Sequence, residues 1–288
     1  MVPNASSGLT TRSTGEVTMA LWLVATPIGT LSDLSPRARQ ILAGADLIAA
    51  EDTRVLRKLL AALNIASPPV IALHAHNEQK VAQRLVQQAQ DKQVVLVSDA
   101  GTPAISDPGR MLIERCHQAG VLLQSVPGPS ALTSALAVSG FSILPMTFLG
   151  FAPRKGRDGF ARQSLMRGET LVIFEAPSRL ADLVNRLAAL QPDREACMCR
   201  ELSKKHEEVL RRPLADLAEQ LKERERVRGE CVLVIGPGDA LEPEKVEIDG
   251  QGLRAIAAAL ALRWGTSRQI AYRRLLEWEA ALGDGEQQ

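Results

Sequence analysis

Aromatic side chains make up only 3% of the chain, too few for the stacked-base platform of an RNA-recognition module. Cysteine is sparser still. Cys116, Cys197, Cys199 and Cys231 show neither a Cys-x-x-Cys pair nor the density of a secreted disulfide scaffold, and they read as free thiols in a reducing compartment. No stretch reaches the ~18 consecutive apolar residues of a membrane helix. No sign of charge dominates, because 34 Lys and Arg stand against 33 Asp and Glu for a formal net charge of +1. That balance argues against wholesale coating of nucleic acid but leaves room for local basic patches. A Gly-x-Gly-x-x-Gly run after the first strand and a Walker A sequence are both missing, so neither a dinucleotide fold nor a P-loop is supported.

What is present is enough apolar material, 45% of 288 residues, to bury one large core or two smaller ones. Met1–Thr18 is rich in Ser, Thr and Gly and has no apolar run of signal-peptide length. It is expected to be a disordered tail, with Met19 a second candidate start, on a cytoplasmic protein. From Leu21 short apolar runs alternate with helical segments. The runs are Leu21–Ala25, Leu47–Ala50, Val70–Leu73, Val94–Val97 and Val121–Val126. The intervening helices are expected at Pro36–Ala43, Arg54–Leu63, Gln79–Gln90 and Pro108–Ala119; the first has Ser35 as N-cap, Pro36 at its first position and Gly44 after its end. Strands and helices in this rhythm predict an α/β fold with substantial parallel pairing.

A second α/β series follows a boundary around Gly140–Pro145. Its strands are expected at Thr147–Phe151, Thr170–Phe174, Glu195–Arg200, Glu207–Leu210 and Cys231–Ile235, with long helices at Arg179–Leu190 and Leu214–Arg226. Leu241–Gly252 reads as a linker. Leu253–Trp264 and Ser267–Leu282 form a helix pair, Ser267 being an N-cap. Two readings stand for this pair: a hairpin that packs on the body, or one that touches RNA. The expected organisation is a tail (1–18), an N-terminal α/β domain (19–140), a C-terminal α/β domain (141–240) and a helical appendage (250–288).

Chemistry is concentrated in the loops after the strands. Val24-Ala-Thr-Pro-Ile-Gly29 places a Pro and a Gly where the first strand exits, which permits a sharp turn and close approach of backbone to a ligand. Alone it is also what an ordinary strand–helix turn looks like. The loop Val97-Ser-Asp-Ala-Gly-Thr-Pro-Ala-Ile-Ser-Asp-Pro-Gly109 is more telling, since it puts two carboxylates, three hydroxyls and closely spaced backbone N–H groups at one sheet edge. In open α/β sheets that carboxyl edge is where ligands sit, and these groups suit the ribose hydroxyls and amino-acid end of a zwitterionic cofactor. Loops that are purely structural rarely need so many special residues.

Together with Ile48-Ala-Ala-Glu-Asp-Thr-Arg54, His76-Asn-Glu78, Val126-Pro-Gly-Pro-Ser130, Gly150-Phe-Ala-Pro-Arg-Lys155 and Glu201-Leu-Ser-Lys-Lys205, these loops occur in the order seen in one family. From about Leu21 to Ile235 the chain resembles the bacterial rRNA ribose methyltransferases of the tetrapyrrole-methylase superfamily. The resemblance implies two α/β domains with S-adenosylmethionine in the cleft between them. It further implies a homodimer that methylates the 2′-hydroxyl of a cytidine in the decoding-centre region of 16S rRNA, on an assembled small subunit, at cytidine 1402 in the usual rRNA numbering. Thr30 stands where the family usually has Asn, and Val55 where it has His. Phe174-Glu-Ala-Pro-Ser-Arg179 replaces a Tyr-Glu-Ser/Ala-Pro-His-Arg pattern, so neither Phe174 nor Ser178 is given a catalytic part. Gly236-Pro-Gly-Asp239 looks like the first-strand loop of tetrapyrrole C-methylases, but it falls late in the chain and reads as a plain turn.

The cofactor is therefore expected against Pro27, Ile28 and Gly29, against Asp99, Ala100, Gly101 and Thr102, against Ser106 and Asp107, and against Pro127, Gly128, Pro129, Ser130 and Ala131. Methyl transfer to a ribose oxygen needs alignment and help with the hydroxyl proton. Glu51 and Asp52 are the acidic candidates, because a carboxylate pair raises the proton affinity of one member. The alternative is that Glu51 caps the next helix and Asp52 pairs with Arg54. His74, His76 and Glu78 lack further metal ligands, and no metal is expected. Basic residues gather at Arg54, Arg57 and Lys58, at Arg154, Lys155 and Arg157, and at Lys204 and Lys205, and are candidates for phosphate contact. Two rival readings make different demands on the sequence. A tetrapyrrole C-methyltransferase would carry Gly-x-Gly-Pro-Gly-Asp after its first strand and lack Glu51-Asp-Thr-Arg54; a non-catalytic RNA-binding protein would have no need of the intact Ser98–Gly109 loop.

Overall fold

The computed structural model describes residues 19–242, 253–264 and 266–283. The expected tail and most of the expected linker lie outside them. The chain divides into two compact units between Ser130 and Ala131, ahead of the boundary expected near Gly140. The reason is packing: the helix α5 (Ala131–Ser139) lies against strands of the second unit.

The first unit runs β1 (Ala20–Val24), α1 (Pro36–Ala43), β2 (Leu47–Ala50), α2 (Thr53–Ala62), β3 (Val70–Ala72), α3 (Glu78–Asp91), β4 (Gln93–Val97), α4 (Arg110–Gln118) and β5 (Leu123–Val126). Its sheet has the order β3-β2-β4-β1-β5, with every pair parallel. The side-chain period of two explains why helices cover both faces. Trp22 and Val24 of β1, Ile48 of β2 and Val95 and Val97 of β4 pack in one cluster with Leu42 of α1 and Leu56 and Leu60 of α2. Leu21, Leu47, Val94 and Leu96 pack in another with Leu85 of α3 and Leu112 of α4. Each fully buried aliphatic side chain contributes about 1.5–3 kcal/mol, which is why the near-continuous apolar strands β2 and β4 sit inside the sheet and the half-exposed β3 and β5 at its edges.

Local signals act as expected in α1, where Ser35 accepts a hydrogen bond from Ala38 N behind Pro36. The start of α4 moves. A helix from Pro108 was expected, but Gly109 has φ +133°, outside the helical range, so the helix begins only at Arg110.

The second unit continues with β6 (Met146–Phe151), α6 (Arg157–Leu165), β7 (Thr170–Glu175), α7 (Pro177–Ala188), β8 (Glu195–Arg200), β9 (Glu208–Pro213), α8 (Leu214–Lys222), β10 (Cys231–Ile235), α9 (Leu253–Trp264) and α10 (Arg268–Gly283). Its sheet, β6-β7-β10-β8-β9, is mixed: β6 and β7 are parallel, and the remaining pairs are antiparallel. The short β8–β9 connection holds no crossover helix, so those strands must pair antiparallel. Pro177 starts α7 earlier than the expected Arg179, and α8 stops at Lys222 rather than reaching Arg226. Helix α6 was not expected at all. Gly159 in its first turn weakens the local propensity, and burial of Ala161 and Leu165 in the core supplies what propensity lacks. The expected helix pair forms: Ala257 and Ala261 of α9 pack against Ala271 of α10. No helix among the described residues is long and apolar enough to cross a membrane.

Two buried arginines brace this unit. Arg194 donates to the carbonyls of Arg167, Glu169 and Gly236, which fixes Gly236-Pro-Gly-Asp239 as a structural turn. Arg157 lies 2.8 Å from the fully buried Glu175 and 2.6 Å from Asp182, and Arg179 reaches Glu175 at 2.7 Å. Removing one partner of a buried pair costs about 3–5 kcal/mol, because the other charge is left uncompensated. Since Arg179 remains to pair with Glu175, Arg157→Met is expected to lower the unfolding free energy by roughly 3 kcal/mol, at the lower end of that range. Urea denaturation would read the loss, and an unchanged midpoint would show that Arg157 does not brace the unit.

Candidate functional site

Because the first sheet is parallel, the loops after β1, β2, β4 and β5 all leave its carboxyl edge. Strand order decides which of them meet. Since β1 neighbours β4, Thr26 and Gly101 exchange two backbone hydrogen bonds of 3.0 Å each. Thr26 Oγ1 donates to Ser98 O at 3.3 Å. Gly101 has φ +82°, and a Cβ there would sit 3.4 Å from Ile28 Cγ2 and 3.7 Å from Pro129 O. Glycine is therefore required for conformation and favoured for close approach. Thr102 Oγ1 donates to Pro129 O at 3.2 Å, tying in the loop after β5. The loop after β2 joins through Asp52 N, which donates to Asp99 Oδ1 at 3.0 Å. Pro27–Gly29, Asp99–Thr102 and Pro127–Ser130 thus belong to one cluster of loops in the first unit, whereas Ala131 opens α5 of the second.

The far end of the Ser98–Gly109 loop is fastened by a residue whose part the sequence did not specify. Glu78 Oε1 accepts from Gly109 N at 3.1 Å, Met111 N at 2.8 Å and Leu112 N at 3.2 Å, capping α4. A carboxylate at a helix N-terminus is favoured by both the free N–H groups and the macrodipole. Asn77 accepts from His74 N at 2.9 Å and donates to Ala72 O at 2.9 Å. The His76-Asn-Glu78 motif therefore shapes the loop through backbone contacts. The available clue was a Glu immediately before the helix expected at Gln79–Gln90, within the His76-Asn-Glu78 motif. Among the described residues, no group of three or more His, Cys, Asp or Glu is arranged to hold a metal ion.

Glu51 and Asp52 have opposite environments. Asp52, not Glu51, caps α2: it accepts from Arg54 N at 2.8 Å and pairs with the Arg54 guanidinium at 2.6 Å. Hydrogen bonding from Arg54 holds its carboxyl well below the usual range, so Asp52 is a weak proton acceptor. Glu51 is half-buried, and burial, then the charges of Asp107 and Asp99, push its carboxyl up. Burial likewise raises Asp99 and Asp107, against a Ser98 hydrogen bond that favours ionised Asp107. The loops after β2 and β4 thus confine three carboxylates that repel one another, an arrangement that stores proton affinity.

The basic candidates divide. Arg157 is buried in its ion pairs, and Lys204 is held by Glu201 at 2.9 Å and Glu230 at 3.0 Å, which removes Arg157 and weakens Lys204 as phosphate ligands. Arg54 is tied to Asp52 but stays exposed. Arg57, Lys58, Arg154, Lys155 and Lys205 are exposed. Phe174 sits in edge-to-face contact with Phe148 and Phe151.

A parallel sheet whose carboxyl-edge loops are glycine-bearing and acidic is thus followed by a mixed sheet. The family model for Tetrapyrrole (Corrin/Porphyrin) Methylases matches residues 20–218, and the chain belongs to this family of methyltransferases. Within it, the chain is similar to the ribosomal RNA small subunit methyltransferase I of Mesorhizobium japonicum, 38% identical over 280 residues, 93% of this chain and 95% of that one. The protein of the same name from Xylella fastidiosa is 45% identical over 220 residues, 75% and 80% of the two chains. Crystalline diphthine synthase shares the fold, with a TM-score of 0.60 at 16% identity over 75% of this chain and 89% of that one.

The carboxylate cluster has a measurable signature. Each of these folded-state values is raised, so the stability contribution is intact below the ordinary carboxylate range near pH 4 and is lost as pH rises through the raised values. Asp107→Asn is expected to lower the Glu51 midpoint in a carboxyl 13C NMR titration and to raise the melting temperature at pH 7 but not at pH 3. An unmoved Glu51 midpoint would show that the two carboxyls do not interact.

Proposed function

We propose that the protein is an S-adenosylmethionine-dependent 2′-O-methyltransferase that acts on a cytidine ribose of 16S rRNA in the small ribosomal subunit, cytidine 1402 in the usual numbering. One observation carries this reading: Glu51, with raised proton affinity, stands on the same sheet edge as the Ser98–Gly109 loop, in a chain similar to proteins named for small-subunit rRNA methylation. The residues present fit the cofactor. Gly101, at φ +82°, turns the loop in a backbone conformation that side-chain-bearing residues rarely adopt and brings it against Ile28 and Pro129 of the neighbouring loops, and Asp99 offers an exposed carboxylate acceptor to ribose hydroxyls or to an ammonium group. Pro27–Gly29, Asp99–Thr102, Ser106, Asp107 and Pro127–Ser130 would hold it.

When bound, S-adenosylmethionine supplies an electrophilic methyl group on a sulfonium. The chain's task is to orient the ribose and accept its hydroxyl proton. Glu51 is the acceptor on this reading, its carboxylate made more basic by burial and by Asp107 and Asp99. Asp52 and Arg54 hold the start of α2 and so set the position of Glu51. Arg57, Lys58, Arg154, Lys155 and Lys205 remain available for phosphates, and an rRNA substrate implies work in the cytoplasm. Glu51→Gln is expected to bind cofactor and subunits normally and to lose most turnover, about 10²–10⁴-fold, whereas Gly101→Val should lose cofactor binding itself. Calorimetry with S-adenosylmethionine and methylation of purified small subunits separate the two. A folded Glu51→Gln enzyme with full turnover would remove Glu51 from the mechanism.

We further propose that the chain works as a homodimer. Val138, Ile143, Leu144, Met146 and Phe151 are exposed apolar side chains on α5, the following segment and the edge strand β6, with Leu144 85% exposed. Concentrations of this kind mark protein contact surfaces. Sedimentation velocity should find a dimer for the native chain and a monomer for Leu144→Glu; a native monomer would overturn the proposal.

A further inference from the structure

A groove of about 390 Å³ lies between α6 and the C-terminal helix pair, and the proposed chemistry does not use it. Gly156, Gly159 and Phe160 line one wall, and Ala261, Thr266 and Arg268 the other. The first wall leaves room at its glycines: a Cβ at Gly156 or Gly159 would meet nothing within 4 Å. Pro153 and Gly156 both line the groove, so Arg154 and Lys155 between them stand at its rim. Across it, Arg268 opens α10. All three cations are exposed, and none makes an ion pair with another described residue. The neighbouring charges, by contrast, are spent: Arg157 pairs with Glu175, and Asp158 with Arg186. Arg254, Arg273 and Arg274 add exposed guanidinium groups on the helix pair itself.

Cations without ion-pair partners on both sides of an open groove complement a polyanion. Guanidinium groups match phosphate oxygens in geometry as well as charge, and phosphate contacts set register without reading sequence. We propose that this groove grips the phosphodiester backbone of rRNA away from the methylated ribose, making the α9–α10 pair a substrate-docking element. The proposal rests on the rRNA-methylating reading and adds where the substrate is held.

The test uses the full chain with Arg154→Ala, Lys155→Ala and Arg268→Ala combined, and separately Gly159→Leu, which fills the groove without altering charge. Binding to purified small subunits and to a protein-free 16S rRNA fragment is measured across salt concentrations, beside steady-state methylation and thermal melting. The triple variant should lose at least tenfold in affinity for both, with a log–log salt slope shallower by roughly 0.7–0.9 per charge removed. Gly159→Leu should raise the subunit KM several-fold while keeping kcat, the melting temperature and the affinity for S-adenosylmethionine. Variants that melt normally and bind with wild-type affinity and salt slope would overturn the groove while leaving the methyltransferase reading intact. Loss on subunits with full retention on protein-free rRNA would overturn it in favour of a ribosomal protein. A wild-type chain that neither binds nor methylates subunits would overturn the functional reading, and the groove with it.

Discussion

Two backbone hydrogen bonds between Thr26 and Gly101 hold the candidate site together. They join the loop leaving β1 to the loop leaving β4, and they form only because those strands are neighbours in a parallel sheet. Gly101 can make them because its positive φ is open to glycine at little cost. The same loop is fastened at its other end by Glu78, which caps α4 through three N–H groups. A long acidic loop is thus pinned at both ends by backbone-directed bonds, which leaves side chains such as Asp99 and Ser106 exposed.

The electrostatics follow from this pinning. Asp52 and Glu51 are adjacent in sequence, yet one is satisfied by a helix terminus and an arginine, and the other faces carboxylates across a loop. Strand pairing brings β2 and β4 side by side and thereby brings Glu51 near Asp99 and Asp107. The fold bears a repulsion that a purely structural edge would relieve, which is the pattern expected where ionisable groups serve chemistry.

Basic residues in the second unit fall into two populations. Arg157 and Arg194 are buried and spend their donors on carboxylates and carbonyls, acting as internal struts for a sheet with mixed pairing. Arg154, Lys155 and Arg268 are exposed without ion-pair partners among the described residues; Arg268 lines a groove, and Arg154 and Lys155 lie in the chain between its lining residues Pro153 and Gly156. Arg154 and Arg157 are three residues apart with opposite roles, because Arg157 opens α6 and meets Glu175 and Asp182, whereas Arg154 lies in the exposed segment before the helix.

Most of the fold was legible in the sequence. Apolar runs located the ten strands of the described residues, since burial imposes its period directly on the chain, and Ser35-Pro36 placed a helix start through local backbone chemistry. The loops Val24–Gly29 and Ser98–Gly109 were recognisable because special backbone geometry demands Gly and Pro in the chain itself. What local sequence could not supply was anything that depended on which strands lie side by side. The mixed order of the second sheet, the existence of α6, the Glu78 cap, the different environments of Glu51 and Asp52, and the burial of Arg157 beside exposed Arg154 all arise from contacts between distant segments. Hydrophobic period and turn chemistry are properties of a few consecutive residues, whereas a carboxylate's proton affinity or an arginine's availability is set by whatever the folded chain places within a few ångströms of it.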